Sequence, residues 1–170
     1  QRAAAIAGLD DDRRVRDEGH RPIANREVLL LDRRSDRELR DEQSSFSGIF
    51  ARAVAPLSLS ASGQAERVVG EEVSGNFFSV LGVPPLLGRV FTEADDQTPG
   101  AHPVMVLNHI CWTRLFNSDP QIVGRTVRLA GLPFTVIGVT APEFIGVTPL
   151  PPQFWAPLMM RDQVLGRRNR

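Results

Sequence analysis

The sequence predicts a mixed α+β fold built on a mixed sheet, and three observations carry that reading. Strand-like apolar runs recur at Ile49 to Leu59, Glu66 to Val73, Val104 to Leu107 and Phe134 to Thr140. Between them stand short helix signatures at Asn76 and Asn108, each a polar cap followed by apolar residues three and four positions apart. The two patterns alternate irregularly, which argues against a regular doubly wound sheet.

Residues 1 to 42 hold 21 charged side chains and one apolar run, Val28 to Leu31. So little apolar surface does not offset the entropy of ordering unless it docks on something. Residues 1–31 are therefore read as a charged, partly disordered segment, 32–160 as the domain proper and 161–170 as a charged tail. Ser35 with Glu38 makes a capping-box pattern, from which Leu39 faces a core, and Ser44 to Gly48 is a turn-rich link.

Ile49 to Leu59 reads as one strand or two, broken at Pro56, and Ser60 to Gly63 turns the chain into the Glu66 to Val73 strand. Asn76 caps a helix carrying Phe77, Val80 and Leu81 on one face, and Gly82 ends it. Pro84-Pro85 forces an extended exit, and Gly88 to Phe91 is a short extended segment or bend. Thr92 with Asp95 repeats the helix-start signature until Pro99-Gly100 stops it. Val104 to Leu107 is a strand, and Asn108 caps a helix with Cys111, Trp112, Leu115 and Phe116 inward, up to Asn117.

Thr126 to Ala130 and Phe134 to Thr140 form a hairpin whose second strand is apolar on both faces, as a central strand is. Its turn is Ala130-Gly131, and because alanine tolerates positive φ poorly, a longer or bulged connection is expected. Gln153 to Leu158 is the last extended piece.

Composition excludes several function classes. The 20 basic residues, all arginine, balance 20 acidic ones, so no global field favours nucleic acid or an anionic membrane. One cysteine, Cys111, excludes an internal disulfide framework and a cysteine-based zinc site. No apolar run approaches the roughly 18 residues of a membrane span, and the start lacks a signal-peptide pattern.

The chemical candidates are few. His109 and Cys111 lie two apart on a helix and point to different faces, so they read as a surface histidine and a buried thiol rather than metal ligands. Glu93, Asp95 and Asp96 form an acidic cluster that a metal-dependent enzyme would need for a hard cation or paired carboxylates, but its spacing fits neither an EF-hand nor an acid–base pair across a cleft. A solvated helix-start cluster is the plainer reading. Ser74, Ser79 and Ser118 lack a nucleophile elbow. A chain without lysine has no Walker A loop, and the glycines at 75, 82 and 88 match no dinucleotide fingerprint. Arg89 and Arg125 each follow a glycine; they read as structural pairs, with the Glu93 to Asp96 cluster as a partner, or as partner-contact residues.

The ordered blocks V-S-G-N-F-F-S-V-L-G-V from Val73, L-G-R-V-F-T-E-A-D-D from Leu87, P-V-M-V-L-N-H from Pro103, C-W-T-R-L-F from Cys111, the run from Asp119 to Val139 and F-W-A-P-L from Phe154 carry a family resemblance. They resemble the MacB-like periplasmic core domain of ABC transporter permeases of the MacB and FtsX type, most closely the duplicated permeases of acidobacteria. The resemblance covers about Ser35 to Met160. It implies a porter-like α/β lobe and a smaller, mainly β lobe, at the extracytoplasmic face of a membrane protein.

It further implies a non-catalytic module that couples ATP-driven closure in the cytoplasm to movement outside, for efflux or mechanotransmission. ATP is then used by a separate nucleotide-binding subunit or domain, and no cofactor is expected in this chain. Expected partners are that subunit, reached through transmembrane helices, a second permease copy, and a periplasmic adaptor or substrate; nucleic acid is not one. Residues 1–27 are charged where the family has its first membrane helix, so the chain is expected to be a piece or a shortened remnant of such a permease. A free-standing soluble binding module is the alternative. Phe77, Phe78, Leu81, Arg89, Trp112 and Arg125 are the candidates for a rigid core or partner contact.

Overall fold

The structure, a computed structural model, describes residues 50–168, with side chains up to 166. The Val28 to Leu31 run, the helix start at Ser35 and the Ser44 to Gly48 link lie outside the described residues. In chain order the elements are β1 (Arg52–Ser60), β2 (Ala65–Val73), α1 (Phe77–Leu81), β3 (Pro85–Gly88), a 3₁₀ turn (Glu93–Asp96), β4 (Val104–Leu107), α2 (His109–Phe116), β5 (Thr126–Leu129), β6 (Leu132–Thr140), β7 (Phe154–Pro157), a second 3₁₀ turn (Leu158–Met160) and α3 (Arg161–Arg168).

The fold is mixed α+β. Among the described residues all seven strands belong to one sheet in the order β3-β6-β4-β7-β2-β1-β5, and β5 pairs with β6 as well. The pairings from β6 through β4, β7, β2, β1 and β5 therefore return to β6 and close a ring, with β3 added outside it. Length makes this possible: nine-residue β6 offers Leu132–Thr135 to β5, Thr135–Val139 to β4 and Gly138–Thr140 to β3. The two lobes that the resemblance implies are not delimited among the described residues, because this shared strand merges its partners into one sheet.

β1 runs unbroken through Pro56, against the break expected there. The Ser74 N–H donates to the Ala51 carbonyl at 2.9 Å, and the antiparallel register pairs Pro56 with Val69. This phase points odd-numbered β1 amides at β2 and even-numbered ones outward. β5 reaches β1 only at Leu59 and Ser60, so the N–H that proline lacks would have met no strand.

The hairpin turn also differs from expectation. Leu129 pairs directly with Leu132, so Ala130-Gly131 is a two-residue turn, with φ 51° at Ala130 and 78° at Gly131. Positive φ at both positions matches the strand twist. The Ala130 N–H donates to the Ser58 carbonyl at 2.8 Å, and that tie to β1 holds the alanine in a conformation it disfavours. Asn76 stands before α1 but makes no side-chain cap; its Oδ1 accepts instead from Ser74 Oγ at 2.7 Å.

Each face of the sheet has a core. On one, Leu57, Leu59, Met105, Leu107, Phe134 and Val136 meet Cys111, Trp112 and Phe116 of α2 and Val164 of α3. On the other, Val73, Val106, Ile137 and Trp155 meet Phe77 and Phe78 of α1, together with Phe50 and Phe91. The charged tail expected from residue 161 thus begins as a helix, because Val164 has a core to enter.

Candidate functional site

β2 carries Glu71 and Glu72 side by side, and strand alternation sends them to opposite faces of the sheet. Both are buried, at 2% and 1% exposure. Each is answered by an arginine: Arg52 of β1 donates to Glu71 Oε1 at 2.6 Å, and Arg161 of α3 donates to Glu72 Oε2 at 2.5 Å. Burial pushes both carboxyls above their usual range, and the paired guanidinium offsets that only in part. The Trp155 indole, opposite Glu71 in the parallel β2–β7 pair, also favours the carboxylate. It acts without a well-formed bond, since Glu71 Oε2 and Trp155 Nε1 are both buried and have no hydrogen-bond partner within bonding geometry among the described residues.

A second polar centre forms around the Glu93–Asp96 turn. Asp95 accepts two bonds from Arg89, at 2.7 and 2.9 Å, and closes a capping box with the Thr92 N–H at 2.9 Å. Burial opposes ionisation of Asp95, but Arg89 and Thr92 together outweigh it and hold the carboxyl below its usual value. Asp96 accepts from the Met159 N–H at 2.7 Å and from the Gly75 N–H at 3.3 Å. Gly75 permits this approach, because a Cβ there would lie 2.6 Å from the Thr92 carbonyl. Two carboxylates of the cluster that suggested a metal, Asp95 and Asp96, are thus aimed at protein donors. Among the described residues no group of three or more His, Cys, Asp or Glu is placed to hold a metal ion.

The candidate residues fall into separate places. Phe77 and Phe78 are fully buried and meet edge to face at 5.1 Å, with Phe50, Phe91, Phe144 and Trp155 around them. Leu81 is half-buried against the same core. Trp112 lies on the other face, where its indole donates to the Asp119 carbonyl at 2.9 Å. Arg89 sits at the acidic turn, but Arg125 does not; it pairs with Asp119 at 2.8 Å, six positions away. Cys111 is buried on the inner face of α2, and burial pushes its thiol up to about 12, which keeps it protonated.

Sequence reasoning missed Glu71, Glu72, Arg52 and Arg161. One signal was available: adjacent glutamates inside a strand cannot both face solvent when the sheet is covered on both sides. Trp155 was missed as a core residue, although an unbroken F-W-A-P run, buried at every position, marks an interior strand.

Comparison with known proteins places the chain. The family described as MacB-like periplasmic core domain matches residues 7–169. A probable export ATP-binding/permease protein MacB of Pseudomonas entomophila is 36% identical over 101 residues, 57% of this chain and 14% of that protein. The periplasmic region of MacB from Actinobacillus actinomycetemcomitans shares the fold at TM-score 0.61 and 20% identity, over 78% of this chain and 58% of that one. The extracellular domain of the noncanonic ABC-type transporter YknZ from Gram-positive bacteria does so at TM-score 0.60 and 18% identity, over 77% and 65%. The chain spans only part of each relative, and no helix among the described residues is long and apolar enough to cross a membrane. With the match running over nearly its whole length, the chain belongs to the MacB-like periplasmic core domain family, the periplasmic domains of ABC transporter permeases.

Proposed function

We infer that this domain transmits ATP-driven movement of a permease to the periplasmic side, for efflux or mechanotransmission, and is itself non-catalytic. One observation carries the reading: the strand that enters the described fold and the helix that leaves it are both bonded, through buried Arg52 and part-buried Arg161, to consecutive buried glutamates of β2. A displacement applied at either end is thereby delivered to the interior of the sheet. The commitment of Asp95 and Asp96 to Arg89, Thr92, Gly75 and Met159 supports a mechanical over a metal-dependent enzymatic role.

The reading assigns ATP hydrolysis to a separate nucleotide-binding subunit or domain reached through membrane helices. It pairs the domain with a second permease copy and with a periplasmic adaptor or substrate. The genomic sequence on either side of the coding region tests it. Flanking apolar spans of about 20 residues each and a neighbouring ATP-binding protein are expected; flanks without any span would leave a free-standing binding module instead. In the intact permease, Glu72→Gln is expected to lower transport while ATP hydrolysis continues, and unchanged transport would reject the coupling role.

A further inference from the structure

One side of the molecule gathers apolar and basic side chains that the fold leaves uncovered. Alternation sets Val54, Pro56, Ser58 and Ser60 on the face of β1 turned away from the core that Leu57 and Leu59 enter. Opposite them in register stand Val69, Arg67 and, from β5, Arg128. The connection between β6 and β7, residues 141–153, lies over the same face. Its Phe144 and Val147 pack on the α1 core, and a Cβ on Gly146 would lie 3.8 Å from the Trp155 ring. Gln153 ends the connection with its N–H on the Val69 carbonyl at 2.8 Å, so this segment and the Val69 patch are continuous. Ile145 and Leu150 of the connection are 48% and 82% exposed, and Val54 and Val69 beside it 39% and 46%. Arg67 and Arg128 are exposed as well, and neither pairs with a carboxylate among the described residues. Arg128 Nη1 donates to the Gly131 carbonyl at 3.1 Å. Two strand spacings across and two residues along, the Cα atoms of the two arginines lie about 12 Å apart. Residues 141–153 carry one charge, Glu143, which the arginines outnumber.

We propose that this side of the domain rests on an anionic lipid surface, with Ile145 and Leu150 entering the headgroup–acyl boundary and Arg67 and Arg128 held to lipid phosphates. Charge and apolarity together select this partner. Guanidiniums without carboxylate partners, beside exposed apolar side chains, match a bilayer interface, where apolar burial and attraction to anionic headgroups add. A second copy would instead present the same unpaired arginines, like charge against like. The balanced charge of the whole chain does not oppose the contact, because attraction to headgroups falls off within a Debye length and the residues at the surface decide it. Weak affinity suffices for a domain tethered to the bilayer, because its effective concentration there is high. The inference rests on the family, the periplasmic domains of membrane permeases, and not on the transmission of movement.

Flotation of the full chain with vesicles tests the proposal, using phosphatidylcholine alone and phosphatidylcholine mixed with phosphatidylglycerol. Binding to the anionic vesicles is expected to be about thirtyfold tighter and to fall with added salt, since each arginine near such a surface contributes about fivefold. Arg67→Glu with Arg128→Glu should remove that difference. Ile145→Ser with Leu150→Ser should weaken binding to the anionic vesicles about tenfold. Both pairs alter exposed side chains, so thermal melting should stay unchanged. Absence of binding to the anionic vesicles would overturn the proposal, as would binding that neither pair alters. Release by inorganic phosphate at constant ionic strength would assign the arginines to a free anion. Self-association in sedimentation that either pair abolishes would assign this side to a second copy, and each of these two results would overturn the proposal as well.

Discussion

Arg161, the first residue of α3, reaches Glu72 on β2 across 89 positions of sequence, Nη1 to Oε2 at 2.5 Å. Glu72 is 1% exposed and Arg161 20%, so the bond joins the outgoing helix to the interior of the sheet. Removing the arginine strands a buried carboxylate. Arg161→Ala is expected to destabilise the domain by about 3 kcal/mol, whereas Glu72→Leu with Arg161→Leu should fall within about 1 kcal/mol of the parent, because no buried charge is then left alone. Urea midpoints at constant m-value read both.

Glu71 and Glu72 also set the pH dependence. Their carboxyls are raised from an ordinary value of 4.5, first by burial, so the folded chain holds these protons more tightly than the unfolded chain. Their contribution is fully present below the unfolded value and is lost as pH rises through the folded one. Asp95 acts oppositely: its carboxyl lies below an ordinary 3.8, and its contribution is lost as pH falls through the folded value. Melting temperature is therefore expected to decline from mild acid towards neutral pH. Glu71→Gln with Glu72→Gln should flatten that slope, and a parent slope that survives both would reject the assignment.

Arg89 and Asp95 separate an exposed partner from a buried one. Arg89 is 52% exposed and Asp95 8%, so losing the arginine leaves a carboxylate that still holds its capping bonds. Arg89→Ala should cost about 1 kcal/mol, while Asp95→Ala, which removes the pair and the cap together, should cost about 2 to 3 kcal/mol. Arg89→Ala with parental stability but impaired transport in the intact permease would identify a partner-contact residue instead.

Ala130 is held at φ 51° in a two-residue turn, a conformation that penalises a Cβ. Ala130→Gly or Ala130→Asn should therefore stabilise the domain by about 0.5 to 1 kcal/mol, with asparagine keeping more of the gain because it adds less freedom to the unfolded chain. Thermal melting decides this, and a loss of stability would show that the alanine methyl packs to more effect than its backbone strains.

Most local elements were legible because their signals are local. Asn108 followed by apolar residues in helical spacing marked α2, and the bond from the Cys111 N–H to Asn108 Oδ1, at 2.6 Å, realises that cap. Thr92 with Asp95 marked the 3₁₀ turn in the same way, and the ordered blocks from Val73 to Val139 carried the family. The break at Pro56 and the long turn at Ala130 were read from residue preferences alone. Both failed because a neighbouring strand, absent beside Pro56 and present beside Ala130, decides what a backbone tolerates.

The amino-acid order alone therefore settled the fold class and the family, since periodicity, caps and motif order need no knowledge of distant contacts. Tertiary structure decided where charge is buried. It sent Glu71 and Glu72 into opposite cores, gave Arg125 to Asp119 rather than to the acidic turn, and closed the strands into a ring through β5 and β6. These outcomes depend on register and on which chain segments meet across the sheet, and adjacent residues on a strand carry no mark of either.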